Sequence, residues 1–147
     1  MAKNYTLTYS LSMTANSASG YSQSQTGGKT LNITGVDQIA TGRIDVAHDG
    51  DSTVMAAPGH GRFVYVRNLD DTNFIVLTFA NENDDEAAVK VDAGNTFILA
   101  GDNSGGMADM LDAKDSALSL SLGDLKSITV DADTASCDVE IFVAEIA

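Results

Sequence analysis

Oxygen-bearing and nucleophilic side chains are plentiful in this chain, and their spacing decides what chemistry they could support. Asn81-Glu82-Asn83-Asp84-Asp85-Glu86 sets six oxygen donors in a row, the ligand type that a hard cation such as calcium takes. The run lacks the central glycine and spaced glutamate of an EF-hand loop, so a solvated hairpin loop accounts for it better. Asp102, Asn103, Asp109, Asp112 and Asp115 could gather around a cation in the same way, but in a chain with 21 acids such clusters arise from composition alone. His48 and His60 are the only histidines and lie in turn-like contexts with no cysteine or glutamate at ligand spacing. Cys137 is the single cysteine, which excludes an intrachain disulfide and any multi-cysteine metal site. It begins the alternation Cys137, Val139, Ile141, Val143 and reads as a small core residue, with a reactive thiol as the alternative.

The patterns of catalysis are missing as well. No Gly-x-Ser-x-Gly elbow occurs, and no spacing sets two carboxylates at the separation glycoside chemistry needs. Gly101 to Gly106 has neither the lysine nor the strand–loop–helix setting of a phosphate loop. The chain has no tryptophan, the strongest stacking platform for a sugar ring, although Tyr5, Tyr9, Tyr21 and Tyr65 keep a glycan-binding reading open. The sequence therefore assigns no catalytic, cofactor-binding or metal residue, and the expectation is a protein that is not an enzyme.

Charge is distributed unevenly. Residues 1–36 contain no Asp or Glu and only Lys3 and Lys29, while the rest carries every acid and sums to −15, for a total of −13. An acidic body repels nucleic acid and anionic lipid, so neither is an expected partner. The uncharged, Ser/Thr/Asn/Gly-rich start lacks the solubilising charges of an ordinary surface. It reads either as a segment that lies against a partner or as a polar edge strand with a flexible loop. No basic-then-apolar leader opens the chain and no apolar run approaches about 18 residues, so neither a secretion signal nor a membrane span is expected.

The elements that would position these residues are strands. Tyr5, Leu7, Tyr9, Leu11 and Met13 alternate with Thr and Ser, the pattern of a half-buried strand. Thr14 to Gly28, with Tyr21 as its one large side chain, reads as a long loop, and Lys29–Thr34 as a short strand ended by Gly35. Gln38 to Ala47 suggests a strand broken at Thr41-Gly42, and His48 to Asp51 a turn. Thr53–Ala56 suggests a short strand. Four strands follow between Arg62 and Ala100, with turns at Asp70–Thr72 and Ala93–Gly94 and the acidic loop between the second and third. Met107–Lys114 suggests a turn or two of helix, and Leu118–Leu122, Leu125–Asp131 and Cys137–Ile146 further strands. About ten short strands with little helix predict an all-β, antiparallel β-sandwich or barrel. At 147 residues one domain can bury roughly 68–70% of its unfolded surface without staples. The expected division is an N-terminal strand and polar arm over 1–35 and a β-sandwich body over 36–147.

The runs Val64 to Leu77, with Arg67-Asn68 closing its first strand, Val91 to Leu99, with Ala93-Gly94 before Phe97, and Val139 to Glu145 resemble small tailed-bacteriophage virion structural proteins of the capsid decoration, or cement, type. The likeness covers roughly residues 36–147. It implies a jelly-roll-like sandwich on the exterior of the virion head, made in the host cytoplasm. The implied partners are the major capsid protein and further copies of itself as a homo-oligomer, such as a trimer. No ligand residues come with it, because such proteins act through surface complementarity. Within this reading Tyr5, Leu7, Tyr9, Leu11, Met13 and Tyr21 form the interaction arm, its strand pairing with a sheet edge of the same or an adjacent subunit. A tail or tail-fibre adaptor and a glycan- or calcium-binding module remain the alternatives.

Overall fold

The computed structural model describes residues 4–13, 27–56, 61–81, 84, 86–100 and 125–146. They form nine strands: β1 (Tyr5–Met13), β2 (Gly27–Val46), β3 (Ser52–Met55), β4 (Gly61–Asn68), β5 (Ile75–Asn81), β6 (Glu86–Val91), β7 (Thr96–Ala100), β8 (Leu125–Ala132) and β9 (Cys137–Ile146). No helix occurs among the described residues. The helix expected at Met107–Lys114, the strand expected at Leu118–Leu122 and the loop carrying Tyr21 lie outside them.

Every pairing is antiparallel. One sheet has the order β1-β2-β9-β4-β7 and the other β3-β8-β5-β6. Four pairs, β2 with β9, β3 with β8, β4 with β7 and β5 with β6, follow one another like rungs of a folded ribbon. Contacts of β9 with β4 and β8 with β5 close the ribbon into two layers. That winding is a jelly roll, with β1 added at one edge.

Alternation explains the layers. Val64 and Val66 of β4 and Val139, Ile141 and Val143 of β9 point inward, where they meet Ile75, Leu77 and Phe79 of β5 and Ile128 and Val130 of β8. Cys137 belongs to this core, fully buried, and burial is the first cause holding its thiol above its ordinary value. A buried thiol that resists ionisation is a packing residue, as its alternation suggests. β4 and β5 lie inside their sheets, in keeping with their near-continuous apolar runs, whereas β6 is an edge whose Val89 and Val91 face the core and whose Lys90 is exposed.

Strand β2 corrects two expectations. Gly35 does not end a strand: at φ +74 it takes a conformation open to glycine, and the register slips beside it, at Tyr5 and Leu7 of β1 where that strand pairs with β2, and at Val36 and Gln38 of β2 itself where it pairs with β9. The result is a bulge within one 20-residue strand that runs across position 35. Nor does Thr41-Gly42 break it, since Thr41 pairs with Phe142 and Gly42 with Ile141 in unbroken register. The first half of β2 pairs with β1 and the second half with β9.

Candidate functional site

The face of the five-stranded sheet turned away from the core is unusually apolar. The same alternation that sends Val64 and Val66 inward sends Phe63 and Tyr65 outward, and on β9 it sends Phe142 and Ala144 to the same side. These residues, with Ile33 and Val36 of β2, form a second hydrophobic cluster against which Leu7 and Tyr9 pack. The Tyr9 and Phe63 rings lie 4.9 Å apart, and Phe63 meets Phe142 edge-on at 5.9 Å. In a flat sheet β1 would stand three strand spacings, about 14 Å, from β4. The ring contact therefore requires the β1–β2 hairpin to curl over the outer face, and the bulge at Gly35 lies where β2 passes from the body to the hairpin.

Between the hairpin and the sheet lies an open depression of about 530 Å³. Phe63, Tyr65 and Phe142 line it, Leu7 borders it from β1, and Arg43 and Glu140 supply its polar groups. Gly42 contributes no side chain and a Cβ there would meet open space. Register sets Glu140 between Arg43 on β2 and Arg67 on β4. The Tyr65 hydroxyl donates to Glu140 Oε1 at 2.9 Å. Burial, followed by that hydrogen bond and the carboxylate charge, holds the phenol above its ordinary value, so it remains a donor through the neutral range. The outer face also exposes Ile39 (39%) and Ile98 (48%), and Tyr5 at the start of the hairpin is 43% exposed.

The expected arm residues divide. Leu7 and Tyr9 are half-buried on this face, while Tyr5 is exposed. Leu11 and Met13 lie in β1 opposite Lys29 and Gly27, and Tyr21 lies outside the described residues. β1 thus pairs within its own chain, along β2. Sequence reasoning missed the depression and the row Arg43–Glu140–Arg67; the signal was the set of aromatics Phe63, Tyr65 and Phe142 alternating with inward valines.

The other candidates have different settings. Asp84 takes φ +64 and pairs with Lys126 of β8, which ties the acidic loop to the neighbouring strand. His48 is exposed in the bend before β3, and His60 and the cluster from Asp102 to Asp115 lie outside the described residues. Asp45, Asp70, Asp71 and Asp138 surround a second cleft of about 480 Å³ at one end of the sandwich. Asp70 is engaged there as a turn cap: one carboxylate oxygen accepts from the backbone N–H of Thr72 at 2.8 Å and of Asn73 at 2.6 Å. Among the described residues no group of three or more His, Cys, Asp or Glu side chains could hold a metal ion. Compared with known proteins, the chain matches no family model and no curated sequence.

Proposed function

We propose that this chain is a non-enzymatic structural protein of a phage virion, a decoration protein that binds and stabilises the shell of the major capsid protein. The observation that carries the reading is the apolar outer face of the five-stranded sheet, open to solvent at Ile39 and Ile98 beside a hairpin without acids. Apolar surface of this kind, rimmed by polar groups, suits broad protein contact better than turnover of a small molecule. The jelly roll supplies a rigid body, a fold that also serves many unrelated tasks, so the surface and not the fold bears the weight. Asp49, Asp51, Asp70, Asp71 and Asp133 belong to connections at one end of the sandwich and so lie off that face.

The test uses Ile98→Lys. Ile98 pairs with Tyr65 across the sheet and is half exposed, so the substitution should leave stability within about 0.5 kcal/mol of the parent, as surface changes usually do. Occupancy on shells assembled without the protein and then incubated with it should fall roughly tenfold, equivalent to about 1.4 kcal/mol of contact energy. Unchanged occupancy would remove this face from the interface. A second reading, a glycan-binding module, draws on the same depression, where Tyr65 and the Arg43 and Glu140 groups could hold a sugar ring.

A further inference from the structure

Among the described residues four strands form the edges of the two sheets: β1 and β7 in the larger, β3 and β6 in the smaller. Sheet edges offer unpaired backbone donors and acceptors, and proteins guard them with shortness, charge, proline or bulges. Three of these edges are guarded. β3 has four residues and a register shift, β7 has five residues, and β6 carries Glu86 and Lys90, the latter paired with Asp92 at 2.7 Å. β1 is different. It has nine residues, no charged side chain and no proline, and its pairing with β2 is uninterrupted from Leu7 to Met13. Among the described residues nothing pairs with its far side.

We infer that β1 pairs with β1 of a second copy, antiparallel about a two-fold axis, to join two five-stranded sheets into one. Charge selects this occupant. With −15 concentrated in residues 37–147, two copies that met through their bodies would bring acid against acid, whereas residues 1–36 contain none. The alternation is also self-complementary. An axis at Tyr9 sets Leu7 opposite Leu11 and Tyr5 opposite Met13 of the second copy, and Thr8 opposite Ser10, so apolar faces apolar and hydroxyl faces hydroxyl. An isologous contact of this kind closes on itself and produces dimers or assemblies built from them. The inference deepens the self-association within the decoration reading and rests on that reading only for its purpose.

Thr8 and Ser10 are exposed, so paired substitutions there should leave the fold intact. Sedimentation equilibrium of the wild-type chain should give twice the 15.3 kDa chain mass. The Thr8→Lys/Ser10→Lys protein should sediment as a monomer, and so should the Thr8→Glu/Ser10→Glu protein, because each sets like charges opposite one another. An equimolar mixture of the two should recover the doubled mass, which no misfolded pair could do. A monomeric or trimeric wild type, charged variants that remain dimeric, or a mixture that stays monomeric would each overturn the pairing. A monomer abundant on particles would sink the pairing and leave decoration standing, while a dimer absent from particles would do the reverse.

Discussion

Phe63→Ala should destabilise the protein by about 3–5 kcal/mol and free the β1–β2 hairpin from the sheet. Phe63 sits where three elements meet: Tyr9 of β1 lies on one side at 4.9 Å and Phe142 of β9 on another at 5.9 Å. Ala144 and Val36 complete its surroundings, and the ring is almost fully buried although it lies on the outer side of the sheet. Truncation removes the transfer energy of the ring and leaves a hole that the curled hairpin can fill only by shifting. Because a domain of this size is stable by only about 5–15 kcal/mol, the loss is a large fraction of the total. Urea denaturation gives the energy, and limited chymotrypsin digestion locates it. Cleavage should appear first at Tyr5 and Tyr9 while the sandwich core persists. Global unfolding with no early cleavage in β1 would show that the hairpin is not the part Phe63 holds.

Asn68→Ala should cost about 3 kcal/mol, more than an ordinary surface change, because it strips the partners from a buried polar junction. Asn68 is wholly buried at the end of β4. Its amide donates to the Asn73 carbonyl at 2.8 Å and the Val91 carbonyl at 3.3 Å, and its oxygen accepts from the Asp70 N–H at 3.0 Å. One side chain thereby binds the β4–β5 turn to the end of β6, and no aliphatic replacement can satisfy those groups. The neighbouring Asp70 adds a pH signature. The backbone N–H groups of Asn73 first, and then of Thr72, hold its carboxyl below the ordinary value. Its contribution is therefore complete above the unfolded-state value and is lost as pH falls through the lower folded-state value. Asp70→Asn should lower the melting temperature at neutral pH, and the gap from wild type should close in strong acid. A gap independent of pH would contradict the assignment.

Much of the fold was legible because alternation is a local signal. The strand Cys137–Ile146 is where its pattern places it, and Tyr5–Met13 is a strand with Leu7 and Tyr9 on its packed side. The Asp92–Asn95 turn likewise follows from Gly94, which takes φ +71 while the Asn95 N–H bonds the Asp92 carbonyl at 3.0 Å. What the residues concealed was tertiary. Gly35 looks like a stop, but whether such a glycine ends a strand or bulges it depends on β1 and β9 lying to either side. The curl that buries Phe63 and shapes the depression depends on that bulge. Glu140 acquires its place between Arg43 and Arg67 only from register, and register is set by the whole inward face. Asn68 read as the end of a strand; its role as a junction emerges only when β6 and the β4–β5 turn arrive beside it.

The measurement that tests the proposed function most directly is the copy number of this chain in purified particles, by quantitative mass spectrometry against the major capsid protein. A decoration protein covering the head lattice should be present in hundreds of copies. A dozen or so would move it to the tail or neck as an adaptor, and its absence from particles would contradict a virion role altogether.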